Sequence, residues 1–78
     1  MMHLYFHLAG PGEILIDRTG MDMPDVRQAR DHALALAGTI VANAYGLSDF
    51  SEWEVYVDDD EEEEILRVPF TAALPTRH

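Results

Sequence analysis

The chain has no cysteine and no lysine. Without cysteine there is no disulfide and no thiolate set to hold zinc. Without lysine there is no Schiff-base amine and no P-loop ammonium. All five basic residues are arginines, Arg18, Arg27, Arg30, Arg67 and Arg77, and they face fifteen acids, for a formal net charge of −10. Affinity for a phosphate backbone comes largely from Lys and Arg displacing counterions, so this surface argues against direct nucleic-acid binding. No apolar run approaches the roughly 18 residues of a membrane span. The opening MMHLYFHLAG also lacks the basic n-region of a signal peptide. The expectation is a cytoplasmic protein with no membrane partner. At 78 residues the chain supports one core, and a domain of that size buries only about 60% of the surface its unfolded chain exposes. Of the usual reinforcements, oligomerisation stays open.

What is present reads as short strands around one helix. Residues 3–8 alternate, with Leu4, Phe6 and Leu8 on one face and His3, Tyr5 and His7 on the other. Ala9-Gly10-Pro11-Gly12 has turn composition, and Glu13 to Asp17 returns as a second strand. Arg18 to Met23 reads as a connection. Asp22 then offers an N-cap, Pro24 suits a first helical turn, and Asp25 adds favourable charge there. A stripe of Val26, Ala29, Ala33, Leu36, Ala37, Ile40 and Ala44 predicts a helix over about 24–45, stopped by Gly46. Ala29, Ala33, Gly38 and Ala42 would let it lie close to a sheet. Glu52 to Asp58 and Glu64 to Phe70 predict a second hairpin. With Asp60 to Glu63 as a four-residue loop, Trp53 meets Phe70, Val55 meets Val68 and Val57 meets Leu66, all on one face. Pro69 cannot donate to a ladder, which places the last strand at an edge. The expected fold is therefore α+β: a four-stranded antiparallel sheet, β-β-α-β-β, in the order 2-1-3-4, with the helix on one face. Residues 1–70 form the domain and 71–78 a frayed tail.

Few residues invite a catalytic or metal-binding reading. His3 and His7 share a face, but four residues along a strand separate them by roughly 13 Å, too far to grip one ion. They read as partly exposed strand histidines, and His32 beside Asp31 is a weaker candidate still. The only serines, Ser48 and Ser51, lack a nucleophile-elbow context. No catalytic residue, cofactor site or metal site is assigned, and an enzyme is not expected. A small enzyme using His3 or His7 as general acid or base would need a concave pocket.

Two surface features remain. The run Asp58, Asp59, Asp60, Glu61, Glu62, Glu63 and Glu64 is seven acids in succession. It lacks the glycine and the alternating ligand spacing of an EF-hand, so it reads as a solvated hairpin tip. Its functional alternatives are weak cation binding and docking to a basic partner, as in a nucleic-acid mimic. The outer face of the sheet collects His3, Tyr5, His7, Ile14, Ile16, Tyr56, Ile65 and Arg67, with Tyr56 opposite Arg67 as a stacked pair. One helix covers only one face of a sheet, so this mixed aromatic and aliphatic surface would meet water unless something covers it. The expectation is a non-enzymatic interaction or regulatory module that forms a homodimer or binds another protein through this face or through a free sheet edge.

The order of several motifs carries a resemblance. YFHL at Tyr5 to Leu8 is followed by D-x-x-G at Asp17 to Gly20, M-P-D-V at Met23 to Val26, A-R-x-x-A-L at Ala29 to Leu34, and W-E-V-x-V-x-D at Trp53 to Asp59. Together they resemble a family of short alphaproteobacterial proteins, abundant in rhizobia and classified only as a domain of unknown function. The resemblance spans Leu4 to Phe70. It implies no activity and no catalytic residue, and this chain departs from the family's pattern in the length of its acidic run.

Overall fold

A computed structural model describes residues 1–43 and 49–73. Among them the chain forms β1 (Met2–Gly10), β2 (Glu13–Leu15), β3 (Met21–Met23), α1 (Val26–Asn43), β4 (Glu54–Asp58), β5 (Glu64–Pro69) and a 3-10 turn over Phe70–Ala73. The class is α+β, with an antiparallel sheet and one helix. The sheet has five strands, not four. Its order is β2-β1-β4-β5 with β3 also paired to β1, against the expected four strands in the order 2-1-3-4 that left β3 out.

The extra strand comes from the segment read as a connection. β2 meets β1 in the register Leu8↔Leu15, Ala9↔Ile14 and Gly10↔Glu13. β3 meets β1 as Leu4↔Met21, His3↔Asp22 and Met2↔Met23. The two registers differ by two residues, so β2 and β3 are halves of one return strand interrupted by a bulging loop over residues 16–20. The expected second strand ran to Asp17, but pairing stops at Leu15 because Asp17 uses its side chain and not its backbone carbonyl to meet β1. Its Oδ2 accepts the Phe6 N–H at 3.1 Å.

β4 and β5 pair as expected in their central part, with Val55↔Val68, Tyr56↔Arg67 and Val57↔Leu66. The register then shifts so that Asp58 faces Glu64, which leaves Ile65 as an extra residue in the ladder. The turn is also tighter than a four-residue loop. Glu62 N–H donates to the Asp59 carbonyl at 3.1 Å, Asp59 N–H donates to the Glu63 carbonyl at 3.0 Å, and Glu62 takes φ 63°. This is a three-residue loop closed by a left-handed residue, a position that usually goes to glycine.

The helix begins two residues later than predicted. Asp25, not Asp22, caps it: its Oδ1 accepts the Gln28 N–H at 2.8 Å, and its carbonyl accepts the Ala29 N–H. Pro24 thus lies before the cap. The predicted helix end at Ala44 and Tyr45 and the Gly46 stop lie outside the described residues. Ala29, Ala33 and Ala37 are fully buried, so the helix approaches the sheet along alanines, while Ala42 is exposed. The core beneath them is Leu4, Phe6, Met23, Val55, Val57, Val68 and Phe70. Leu8, Trp53 and Leu66 pack against it from the same face. Phe70 to Ala73, placed partly in the expected tail, turns back as 3-10 helix with Phe70 buried, and residues 74–78 lie outside the described residues.

Candidate functional site

The outer face of the sheet is covered in part. The loop over residues 16–20 folds onto it, held by one carboxylate. Asp17 Oδ1 accepts the Thr19 N–H at 3.0 Å and the Gly20 N–H at 3.1 Å, while Oδ2 takes the Phe6 N–H. Burial alone would push this carboxyl up. The N–H donors of Gly20, Phe6 and Thr19 outweigh it and hold the group below its ordinary value of 3.8.

His7 is consequently not a partly exposed strand histidine. It is only 6% exposed. Asp17 N–H donates to its Nδ1 at 3.0 Å, so Nδ1 carries no proton and the neutral ring keeps its N–H at Nε2. That atom faces Asp58 Oδ2 at 3.2 Å. The ring lies parallel to Tyr5 at 6.4 Å between centroids and tilts against Tyr56 at 5.0 Å. Both nitrogens have partners, and neither is aimed at open space.

His3, four residues away, has the opposite requirement. Its Nδ1 lies 2.7 Å from Asp22 Oδ1 and its Nε2 lies 3.0 Å from the Thr19 carbonyl. Both partners only accept, so both nitrogens must donate, and the doubly protonated cation fits best. The Asp22 carboxylate first and the Thr19 carbonyl second raise its pKa above the ordinary 6.5. The sign follows from linkage. A raised folded-state pKa gives stability that is fully present below the unfolded value near 6.5 and is lost as pH rises through the folded value. Histidine Cε1–H NMR titration is expected to place His3 above 6.5, and His3→Gln is expected to remove the loss of stability over that window. A His3 titration at or below 6.5 would contradict the geometry.

The remaining outer-face residues divide. Tyr56 and Arg67 do face each other, with the guanidinium carbon 5.4 Å from the ring centroid. Arg67 is also held by Glu54 at 2.7 Å and by Glu64 at 2.6 Å. Ile65 leaves the face: the bulge breaks the alternation and it packs against the core. Ile14 and Ile16 stay exposed, at 49% each, and Leu15 between them is 52% exposed. The expected acidic tip is partly committed inward. Asp59 Oδ1 accepts the N–H groups of Glu61 and Glu63, Asp58 faces His7, and Glu64 holds Arg67.

Where the loop, the tip and the outer face meet there is an open depression of about 340 Å³. Tyr5 and His7 lie at its base, Ile16 to Arg18 on the β2 side, and Asp58, Asp59, Asp60 and Glu62 on the other. A second, smaller hollow of about 270 Å³ lies beside His3 and the other side of the tip. The sequence marks the tip and the outer face separately and carries no sign that they adjoin; the D-x-x-G motif at Asp17 to Gly20 is the signal that the intervening loop is structured. Among the described residues no group of three or more His, Asp or Glu side chains converges on a metal position, and no helix is long and apolar enough to cross a membrane.

Comparison with known proteins adds a family and no activity. The model of a family described as a domain of unknown function (DUF6894) matches residues 3–71. No curated protein and no solved structure matches the chain.

Proposed function

The chain belongs to the DUF6894 family, which supplies no activity to transfer, and from its own residues we propose a non-enzymatic protein-interaction module that docks another polypeptide at the β2 edge. The observation that carries this reading is the run Ile14-Leu15-Ile16. Three consecutive large aliphatic residues are each about half exposed; Ile14 and Leu15 lie in β2, which pairs with β1 on one side and, among the described residues, with nothing on the other, and Ile16 follows directly as the chain leaves the strand. Free edges are normally blunted with charge, proline or a covering element, because their backbone groups template pairing with another chain. Here Glu13 opens the strand and Asp17 follows it with charge, but Ile14 and Leu15 present apolar side chains on opposite faces of the edge. Strand addition uses such an edge, with main-chain hydrogen bonds for affinity and alternate side chains for specificity. The histidines support a binding role over catalysis, since each ring nitrogen of His3 and His7 is occupied by a neighbour within the fold.

The test is selection of a random displayed-peptide library on the immobilised protein. Enriched peptides are expected to alternate aliphatic and polar residues and to lose about tenfold or more in affinity, about 1.4 kcal/mol, on the variant Ile14→Thr with Ile16→Thr. Threonine keeps the strand preference while removing most of the apolar surface. No enrichment, or peptides that bind both proteins equally, would overturn the reading.

A further inference from the structure

Resting on that reading, we propose that the docked polypeptide is basic, and that it lays an arginine side chain into the depression between the β2 edge and the acidic tip while its aliphatic residues cover Ile14 and Ile16. The register puts Ile14 opposite Ala9, on the same face as Tyr5 and His7. Ile16 continues that face and forms one rim of the depression. The apolar edge therefore runs directly into the acid-walled hollow on one continuous surface.

Charge selects the occupant. Five ionisable carboxylates line the depression, Asp17, Asp58, Asp59, Asp60 and Glu62, against the single arginine Arg18. A second copy would bring its own net charge of −10 to the same place, so homodimer pairing works against the local field, whereas a basic segment works with it. The aromatic ring of Tyr5 at the base favours a planar cation. Guanidinium stacks on aromatic faces and accepts forked pairing with carboxylates, which an ammonium does not match. Asp17, Asp58 and Asp59 already serve the loop, His7 and the turn, which leaves the exposed Asp60 and Glu62 to meet the incoming charge.

Two synthetic peptides test this: one of alternating valine and threonine with arginine at both ends, and its twin with glutamine at both ends. Affinities are measured on the wild-type chain, on Asp60→Asn with Glu62→Gln, and on Ile14→Thr with Ile16→Thr. The arginine peptide is expected to bind the wild type roughly tenfold tighter than its twin. That advantage is expected to shrink below about threefold on the Asp60/Glu62 variant and in high salt. Equal binding of the twins to the wild type would overturn the basic-partner inference while leaving the edge reading intact. Binding of neither peptide, or arginine-peptide binding unchanged by the Ile14/Ile16 substitutions, would overturn the edge reading itself. A concentration-dependent dimer in light scattering whose β2 amides are protected from exchange would assign the edge to a second copy and overturn the inference.

Discussion

Replacing Asp17 with alanine is expected to destabilise the domain by about 3 kcal/mol, a large share of the total for a chain this small. The substitution leaves three backbone donors without an acceptor. One of them, the part-buried Phe6 N–H, belongs to a strand that lines the core, where an unpaired donor costs about 1–3 kcal/mol. The other two, from Thr19 and Gly20, shape the loop that covers His7. Urea denaturation at neutral pH measures the loss. Its pH dependence is a second signature. Because the folded-state pKa of Asp17 is depressed, its contribution is present above the unfolded value of 3.8 and is lost as pH falls through the folded one. Asp17→Asn is therefore expected to be less stable than wild type at neutral pH, with a smaller drop on acidification. A neutral alanine variant would mean that this carboxylate does not organise the loop.

Gly20→Ala is expected to cost about 2–3 kcal/mol, from two sources that a neighbouring glycine separates. Gly20 has φ 74°, a left-handed conformation that costs a residue with a Cβ about 1–2 kcal/mol. A Cβ there would also lie 2.5 Å from His3 Nε2 and 2.9 Å from the Tyr5 ring, so both side chains must move. Gly12 has almost the same φ, 73°, with nothing within 4 Å of a Cβ. Gly12→Ala is thus expected to show the backbone cost alone, about 1 kcal/mol. The difference between the two variants in thermal or urea denaturation measures the packing of the loop against His3 and Tyr5. Gly20→Ala should also lower the His3 pKa toward 6.5 by disturbing its bond to Thr19. Equal effects at the two glycines would contradict the close contact.

How far the sequence carried depended on whether the signal was local. The alternation of Leu4, Phe6 and Leu8 and of Trp53, Val55 and Val57 marks two strands because each is half-buried, whereas the expected register of Tyr56 with Arg67 holds because the skipped Ile65 offsets the shorter loop. β3 has no such pattern. Met21-Asp22-Met23 is three residues long, and only its pairing with Met2 to Leu4 makes it a strand. The cap expected at Asp22 falls at Asp25, because His3 holds the Asp22 carboxylate while Asp25 accepts the Gln28 N–H. The bulge at Ile65 was hidden for a different reason. The acidic run holds no glycine to mark a left-handed residue, and Glu62 adopts that conformation at a cost. The burial of His7 was the least legible feature, since it arises from Asp17 reaching across ten residues of sequence to cover it. Of the candidate site, the apolar and acidic parts were both readable, while their adjacency required the loop.

The most direct test of the docking surface is a backbone amide NMR titration of the intact chain with the arginine-ended valine–threonine peptide. The account predicts perturbation of Ile14, Leu15 and Ile16 together with Tyr5 and Asp58 to Asp60, and slowed amide exchange along β2. Perturbation confined to the acidic run, with Ile14 to Ile16 unchanged, would contradict it.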